Sequence, residues 1–425
     1  MDKIIDYLSE RRIPVILLVL LALFSQILLI MAVPKETARL GDADEYLSIA
    51  RNVEHLKFYS FDGITPTRMR QPLYPFFLAT VQSLFGPSVL YVQLAQVSIN
   101  ILTILLFRSL ANKLWGKKTG FVVLVSMCLF LPLLNMSKHI LTETFYVFLL
   151  ALFLYVGVLA IRKKSKGLIA SSGSILGAVT LCRPTTIFLP IVIVPILGCA
   201  FSTIRGRGIS LIAIFLGGFC AMLVPWGVRN YLTLGEFAVI SSDGGANLWV
   251  ATQPDWREYL EGSMGRSWTK AEFLKIKADE HYHSSEADKR FIRQAVANIR
   301  FDPWGFVWRN AQKIVIFAYW NYLFPFKRLA GHGPVADVLV MSVRLMFLAM
   351  VAIGFVKSWE RRGEALLVIS VAFYLTVAYF ASFVTGRFMI PVVPVMLLFG
   401  SHGFMIVVMW LADKGLEWKE SEGNA

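Results

Sequence analysis

Long apolar segments alternate with short polar stretches along most of the chain. Ten of them approach the roughly 20 residues that an α-helix needs to cross a bilayer. They are residues 13–33, 88–110, 119–137, 140–161, 167–183, 184–204, 208–228, 335–356, 364–384 and 388–412. The pattern predicts an all-α polytopic membrane protein, a bundle of about ten transmembrane helices.

The composition supports this prediction. Of the 425 residues, 56% are hydrophobic and 16% are charged, and the mean hydropathy is +0.61. A soluble protein of this size is far less apolar. The four cysteines (Cys128, Cys182, Cys199 and Cys220) lie in or beside apolar segments without CxxC spacing, which predicts core residues and no zinc site.

The distribution of basic residues predicts the orientation of the chain. The net charge of +14 comes from clusters between apolar segments, as the positive-inside rule describes, so no nucleic acid partner is expected. Basic residues precede segment 13–33, which has no small-residue cleavage site and predicts an uncleaved signal anchor. With a cytoplasmic N-terminus, the basic turns all face the cytoplasm: Arg108, Lys113, Lys117, Lys118, Arg162, Lys163, Lys164, Lys166, Arg205, Arg207, Lys357, Arg361 and Arg362.

Two long loops then face outward, residues 34–87 and 230–334. No repeat or linker separates them from the apolar segments, so residues 1–425 are expected to form a single transmembrane domain with the loops as its cap. Within the second loop, residues 301–326 contain Arg309, Lys313 and several aromatic residues. This composition predicts a helix lying in the membrane interface.

The first loop contains a candidate catalytic carboxylate. Residues 42–53 have helical periodicity, with Ala43, Tyr46, Leu47, Ala50 and Val53 on one face. Asp42 borders that face, where partial desolvation would raise its pKa and suit a general base, whereas Asp44 points to solvent. Asp42 and Glu45 also have the spacing of a helix-capping box, and the two interpretations are compatible.

Three arginines lie at the predicted outer boundary, where the positive-inside rule gives no reason for them. Arg183 ends the fifth segment, Arg229 ends the seventh and Arg387 begins the tenth. Together they predict a site for an anionic group such as a phosphate, which guanidinium groups bind in a bidentate manner. The alternative is that each one reaches lipid phosphates or pairs with a loop carboxylate.

Other polar residues allow more than one interpretation. His139 and Glu143, next to Lys138, are four residues apart and could hold a divalent cation or position a phosphate; alternatively, Glu143 is a helix-start carboxylate stabilised by the helix dipole. The group Asp279, Glu280, His281, His283 and Glu286 has the composition of a metal site, but a solvated helix surface is favoured. Arg344 is expected to face the bundle interior.

Tryptophans of the second loop also have two interpretations. Trp249, Trp256 and Trp268 could stack on sugar rings. Anchoring of the loop at the membrane surface is the favoured interpretation.

Several short motifs occur in the order found in a known family. They are Gly41-Asp42-Ala43 with Tyr46 and Ala50; Arg70-Gln71-Pro72-Leu73-Tyr74-Pro75; Leu141-Thr142-Glu143; Arg183-Pro184; Pro225-Trp226 with Arg229-Asn230; and Arg387 with Pro391 and Pro394. By these motifs the chain resembles the GT-C superfamily of polyprenyl-phosphate-sugar glycosyltransferases. The resemblance is to the bacterial branch related to protein O-mannosyltransferases and the aminoarabinose transferase of lipid A.

The resemblance implies a GT-C type bundle and an inverting transfer of a monosaccharide. The donor would be a polyprenyl (undecaprenyl-type) phosphate sugar, and the acceptor a lipid, polysaccharide or protein at the periplasmic face of the bacterial inner membrane. Asp42 matches the catalytic aspartate and Glu143 a second acidic residue. The candidate substrate-binding residues are Arg70, Tyr74, Lys138, His139, Arg183, Arg229, Asn230 and Arg387, of which Arg183, Arg229 and Arg387 would anchor the phosphate. A divalent cation at His139 and Glu143 is an option, and the need for a metal stays open.

The sequence also departs from the family pattern. Many relatives have an Asp-Glu pair at the catalytic position, whereas here the pair is Asp44-Glu45, two residues later, which keeps Asp44 as a second candidate base. The part after the second loop is short, so the acceptor stays open. A flippase or transporter of lipid-linked sugar, or an O-antigen ligase or polymerase, is the alternative. The gathering of ionisable residues at one surface instead of the midplane favours the enzyme over the transporter.

Overall fold

The computed structural model describes residues 2–32, 38–39, 42–55, 57–201, 208–242, 244–253, 285–319, 334–381 and 386–423. These residues form helices, turns and loops, with no strand among them. The helices before the second loop are α1 Asp2–Glu10, α2 Arg12–Met31, α3 Ala43–Glu54, α4 Leu73–Phe85, α5 Val89–Trp115, α6 Lys117–Cys128, α7 Leu131–Met136, α8 Glu143–Lys163, α9 Lys166–Cys182, α10 Leu189–Phe201 and α11 Gly208–Leu234. The later ones are α12 Gly244–Thr252, α13 Ser285–Phe301, α14 Pro303–Tyr319, α15 Pro334–Lys357, α16 Arg362–Phe380 and α17 Val393–Gly423.

Within the described residues, seven helices are long and apolar enough to cross a membrane. They are Arg12–Met31, Val89–Trp115, Glu143–Lys163, Gly208–Leu234, Val338–Lys357, Gly363–Phe380 and Val393–Lys414. The all-α membrane class is therefore confirmed, but a count of ten spans is not. Two further predicted segments form the shorter apolar helices α9 and α10.

The segment predicted as one span at residues 119–137 is divided, so that prediction is wrong. Helix α6 ends at Cys128, and α7 begins at Leu131 with Pro132 in its first turn. Proline has no N–H to donate, and its ring clashes with the carbonyl four residues earlier, which here belongs to Cys128. Hydropathy alone cannot show this break.

Amide side chains on one face of α5 stabilise the irregular backbone around α7. Gln93 donates to the carbonyl of Lys138 (2.8 Å), Gln96 to those of Ser137 (3.0 Å) and His139 (2.8 Å), and Asn100 to that of Leu133 (3.1 Å). Backbone groups inside a membrane need such partners because lipid offers none. This face of α5 therefore fixes the segment that leads into α8.

Two helix pairs approach closely through glycine. A Cβ on Gly173 of α9 would overlap the carbonyl of Phe215 on α11, and a Cβ on Gly403 of α17 would overlap the carbonyl of Met350 on α15. Small residues at such crossings let membrane helices pack backbone to backbone. Arg344 of α15 is buried, as predicted.

The cysteine prediction is only partly right. Cys128 and Cys182 are buried, but Cys199 on α10 and Cys220 on α11 are exposed. In apolar membrane helices an outward position faces lipid, so a hydrophobic segment does not show which of its residues are in the core.

The second long loop, which is the predicted cap, contributes most of a small separate core. Trp249 on α12 is 5% exposed, and its ring lies 5.6 Å from that of Phe291 on α13. The favoured interpretation of Trp249 as a membrane-surface anchor is therefore wrong, because its ring is used inside the cap. Trp256, Trp268 and the group Asp279, Glu280, His281 and His283 lie outside the described residues, and Glu286 is exposed near the start of α13.

Helix α14 is not among the candidate spans in the described part of the chain. Its Trp304 and Trp308 are exposed, whereas Lys313 is buried. An interfacial position for α14 stays a prediction that this exposed aromatic face supports.

The basic turns lie close together at one end of the bundle. Arg162 pairs with Glu364 at 2.6 Å, and the Lys118 amine lies 3.0 Å from Asp2. Arg361 donates to the carbonyl of Lys113. The turns predicted to face the cytoplasm therefore meet at one end of the molecule; Arg205 and Arg207 lie outside the described residues.

Candidate active site

A cavity of about 650 Å³ lies between helix ends and the two long loops, at the end of the bundle opposite the basic turns. Its charged lining residues are Asp42, Arg70, Arg183 and Arg387, and its neutral polar ones include Gln71, Thr185, Ser241 and Asn247. Apolar side chains such as Ile187, Phe188, Leu248 and Ala378 complete it. A cavity of this size, largely apolar with a few convergent polar groups, is typical of a small-molecule site.

Helix α3 places Asp42 at this cavity. Its apolar face is buried through Ala43, Tyr46, Leu47, Ile49 and Ala50, which confirms the predicted helix and its orientation. Burial raises the pKa of Tyr46, whose ring lies between Arg70 and the buried ring of Tyr74. With α3 packed in this way, the residue just before it faces the cavity.

Acidic and basic side chains alternate through the site in a continuous series of ion pairs. In order these are Glu45 to Arg70 at 2.7 Å, Arg70 to Asp42 at 2.8 Å, Asp42 to Arg387 at 3.2 Å, Arg387 to Glu143 at 3.5 Å and Glu143 to Arg183 at 3.4 Å. Residues separated by more than 300 positions thus meet in one cluster. The first loop, α8, α9 and the segment before α17 all contribute to it.

The capping-box interpretation of Asp42 and Glu45 is wrong. Asp42 occupies the N-cap position of α3, but its side chain makes no cap hydrogen bond. Its two carboxylate oxygens contact Arg70 and Arg387, and Glu45 also pairs with Arg70. The guanidinium groups of Arg70 and Arg387 are thus the partners of the Asp42 carboxylate, and the Asp42 side chain is 26% exposed.

Asp44 lies on the other side of α3. Its side chain is 72% exposed, and Arg39 is 3.9 Å away. The solvated position expected from the helical wheel is confirmed. Asp44 is not among the residues that line the cavity.

Glu143 lies beneath the cavity, at the first position of α8. Its side chain is 1% exposed and contacts Arg183 and Arg387 through Oε1. His139 precedes the helix, so the two residues do not share a helical face, and the i,i+4 argument is wrong. The described residues contain no group of three or more His, Cys, Asp or Glu that could hold a metal. Guanidinium groups lie between the carboxylates of Glu45, Asp42 and Glu143, and Oε2 of Glu143 is buried without a hydrogen-bond partner among the described residues.

Aromatic rings pack against the guanidinium of Arg183. Its guanidinium lies 4.7 Å from the ring centre of Phe388 and 5.5 Å from that of Tyr146. Cations are attracted to ring faces in this range, more strongly where water is excluded. The Arg183 side chain is only 12% exposed, so its geometry is set by packing.

Arg229 and Asn230 bind backbone carbonyls of the loops. Arg229 donates to the carbonyls of Thr67 (2.9 Å) and Tyr59 (3.2 Å), and Asn230 donates to that of Ala238 (2.6 Å). Neither residue lines the cavity. They hold the two outer loops against the end of α11, so the structure separates Arg229 from Arg183 and Arg387.

Three other candidate binding residues are also outside the cavity lining. Tyr74 is fully buried and donates to Gln96 at 2.9 Å. His139 is buried, and desolvation lowers the pKa of Lys138; the carbonyls of both accept bonds from α5. Of the eight substrate-binding candidates, the structure brings only Arg70, Arg183 and Arg387 into the cavity lining, with Asp42.

Several cavity residues were missed from the sequence. Ser241 and Asn247 belong to the second outer loop, where neither spacing nor composition distinguishes them. Gln71 directly follows Arg70 in the motif Arg70-Gln71-Pro72-Leu73-Tyr74-Pro75. Its position next to a site arginine could have identified it as a cavity residue.

Comparisons with known proteins agree with this architecture. The family model for dolichyl-phosphate-mannose-protein mannosyltransferases matches residues 69–226. No curated protein sequence matches the chain. The matched segment contains Arg70, Gln71, Glu143 and Arg183, but not Asp42 or Arg387.

Solved structures show the fold. The chain is similar to the oligosaccharyltransferase AglB from the archaeon Archaeoglobus fulgidus in complex with an inhibitory peptide and a dolichol-phosphate, with a TM-score of 0.56 and 13% identity over 97% of this chain and 52% of that chain. The A. fulgidus oligosaccharyltransferase in the apo form gives a TM-score of 0.58 and 12% identity, over 96% of this chain and 52% of that chain. ArnT from Cupriavidus metallidurans bound to undecaprenyl phosphate gives 0.40 and 14% identity, over 92% of this chain and 77% of that chain.

The chain spans about half the length of the archaeal structures that it matches. At 12–13% identity, the similarity concerns the fold. The chain is thus an all-α membrane protein that shares the fold of the archaeal oligosaccharyltransferase, and over residues 69–226 its sequence resembles the dolichyl-phosphate-mannose-protein mannosyltransferase family.

Proposed function

We propose that this protein is an inverting glycosyltransferase that uses a polyprenyl-phosphate-linked sugar. It transfers a monosaccharide to a hydroxyl of a lipid, polysaccharide or protein acceptor at the outer face of the bacterial inner membrane. The observation that carries the proposal is the cavity in which Asp42 lies between Arg70 and Arg387, with Arg183 beside them. One acid and several guanidinium groups are what this transfer needs.

Arg183 and Arg387 bind the phosphate of the donor. Both guanidiniums share the buried Glu143, which keeps them close together before the donor arrives. When the sugar leaves, negative charge on the phosphate oxygens increases, and fixed guanidinium donors stabilise that charge. These arginines therefore favour departure of the polyprenyl phosphate.

Asp42 is the general base. The oxygen of the acceptor hydroxyl attacks the anomeric carbon from the face opposite the phosphate, and Asp42 takes the hydroxyl proton. The bond from the anomeric carbon to the phosphate oxygen breaks, and its electron pair leaves with the phosphate. A carboxylate within reach of the acceptor hydroxyl can take this proton, and the contacts with Arg70 and Arg387 fix its position in the cavity.

The apolar part of the cavity suits the isoprenoid chain. Ile187, Phe188 and Leu248 line it, and Phe188 is 64% exposed at the start of α10. A long hydrocarbon chain gains free energy from contact with such side chains and with the surrounding lipid. The phosphate can then lie at the arginines while the chain extends into the membrane.

The test compares two aspartates that differ in position. Envelope glycolipids, polysaccharides and glycoproteins of cells lacking the gene are compared by mass spectrometry with those of cells that express the wild type, Asp42→Asn or Asp44→Asn. The wild type should add one monosaccharide that the deletion lacks. Asp42→Asn should lower its transfer rate by about 10²- to 10⁴-fold, the usual contribution of a general base, while Asp44→Asn stays close to the wild type.

Equal protein levels in the membrane fraction are the control for expression. Normal transfer by Asp42→Asn would overturn the assignment of the base. A purified wild type that moves labelled undecaprenyl-phosphate sugar across vesicles without releasing undecaprenyl phosphate would instead identify a flippase.

A further inference from the structure

The cavity contains neutral polar side chains next to its ion pairs. Gln71 and Ser241 line it, and each is 5% exposed. They come from two different segments, residues 67–71 of the first loop and residues 238–242 of the second. The ion pairs involve the charged lining residues and do not include these two neutral side chains.

The two segments are fastened side by side. The hydroxyl of Tyr59 bonds to the backbone carbonyls of Arg70 (3.0 Å) and Gln71 (3.1 Å). Arg68 donates to the carbonyl of Ile240 at 3.1 Å, which joins the first segment to the second. Gln71 is therefore held on a rigid backbone directly after Arg70, whose guanidinium contacts Asp42.

The side-chain amide of Gln71 makes a hydrogen bond through its nitrogen but not through its oxygen. Its Nε2 donates to the carbonyl of Val239 over 3.5 Å, whereas its Oε1 is buried and has no hydrogen-bond partner among the residues that the structure describes. Buried acceptors without a partner are rare in folded proteins. The terminal torsion of glutamine is soft, so a small rotation can turn Oε1 toward the cavity. An acceptor in this position calls for a donor such as a hydroxyl.

We infer that Gln71 accepts a hydrogen bond from a hydroxyl of the transferred sugar and selects monosaccharides that carry this hydroxyl. The inference rests on the proposed function, because a donor phosphate at Arg183 and Arg387 and a reacting carbon near Asp42 place the sugar ring in this cavity. Gln71 contributes one hydrogen bond to the ring and takes no part in the bond changes. A site built around a substrate hydroxyl rejects ligands that lack it, because its own polar group is then left unpaired.

The experiment is a binding competition read by native mass spectrometry. The purified full-length chain in detergent is mixed with equal amounts of undecaprenyl phosphate and its glucosyl, galactosyl, mannosyl and 4-amino-4-deoxyarabinosyl esters. The variant is Gln71→Met, which keeps the size of the side chain and removes its hydrogen bonding. Gln82→Met is the matched control, because Gln82 is another 5% exposed glutamine whose Oε1 has no described partner, but it does not line the cavity.

For at least one sugar ester, the affinity relative to undecaprenyl phosphate should be about tenfold higher in the wild type than in Gln71→Met, the effect of one well-placed hydrogen bond. Gln71→Met should leave the affinity for undecaprenyl phosphate unchanged, and Gln82→Met should keep the wild-type ratio. Gln71→Asn, whose amide is one methylene shorter, should also lose the preference and serves if the methionine variant does not fold.

Other results overturn the inference. The same affinity ratio in the wild type, Gln71→Met and Gln71→Asn for every sugar ester would do so while leaving phosphate binding intact. Failure of the wild type to bind any of these lipids, undecaprenyl phosphate included, would overturn the proposed function itself and this inference with it.

Discussion

Charge compensation is the main feature of the site at the scale of single residues. Arg70, Arg183 and Arg387 each contact at least one carboxylate, and Asp42 and Glu143 each contact two arginines. Carboxylates that lie between guanidiniums keep these cations close together without strong mutual repulsion. Under the proposed function, an incoming phosphate would share the arginines with Glu143 and Asp42, which would limit its affinity and favour release of the polyprenyl phosphate product.

Lys313 on α14 gives a pH-dependent prediction. Burial, and then the charge of Arg309, lower the pKa of Lys313 to about 8 in the folded protein, from its usual 10.5. Between these two pH values the unfolded chain binds more protons than the folded one, so stability rises as the pH increases from about 8 toward 10.5. Thermal unfolding of the purified chain across this range should show the rise in the wild type and a smaller one in Lys313→Met. An identical pH dependence of the two proteins would contradict the lowered pKa.

The predictions for single residues were correct where helical periodicity determines which side of a helix is buried. The wheel of α3 separated Asp42 from Asp44 because its apolar face must be buried, which fixes the opposite face in solvent. Periodicity does not say where an arginine at a helix end points. Arg183 turns into the cavity and Arg229 binds loop carbonyls, and this difference depends on the tertiary positions of Glu143 and Thr67.

At the scale of helices, α5 organises the interior through its polar face. Gln96 contacts the carbonyls of Ser137 and His139 and accepts a bond from Tyr74. Glu143 follows this segment at the start of α8. The amide face of α5 thus determines where Glu143, and through it Arg183 and Arg387, are held.

Replacing Gln96 tests this role. Gln96→Leu leaves two buried carbonyls and one hydroxyl without their partner, and each such loss destabilises by about 1–3 kcal/mol. The melting temperature of the purified protein should fall clearly. Ser98→Leu places the same side chain on the exposed face of α5 and should change the melting temperature little. Equal decreases in melting temperature for the two substitutions would show that the hydrogen bonds of the buried Gln96 amide do not stabilise the fold.

The errors at this scale have physical reasons. The hydropathy of residues 119–137 is uniform, but Pro132 divides the segment, and its position in the sequence could have revealed the break. The pairing of His139 with Glu143 assumed a helix that in fact begins at Glu143. The prediction of a capping box was wrong because guanidinium groups from other parts of the chain form ion pairs with the carboxylates of Asp42 and Glu45.

At the scale of the whole molecule, the two ends of the bundle differ in chemistry. One end collects the basic turns and their pairs with Asp2 and Glu364, and the cavity lies with the outer loops. This separation fits the orientation predicted from charge, with the site on the outer face. The fold class was predictable from hydropathy, whereas the convergence of the first loop, α8, α9 and the segment before α17 arises only from tertiary packing.

The affinity of undecaprenyl phosphate for three arginine variants tests the central claim most directly. The purified wild type, Arg183→Gln, Arg387→Gln and Arg229→Gln are titrated with undecaprenyl phosphate, and the dissociation constants are compared. Loss of a hydrogen bond to a charged group corresponds to about 10- to 100-fold in affinity. Arg183→Gln and Arg387→Gln should weaken binding by this amount, and Arg229→Gln should stay within about twofold of the wild type. Equal losses in all three variants, or no binding by the wild type, would contradict the assignment of the cavity to the donor phosphate.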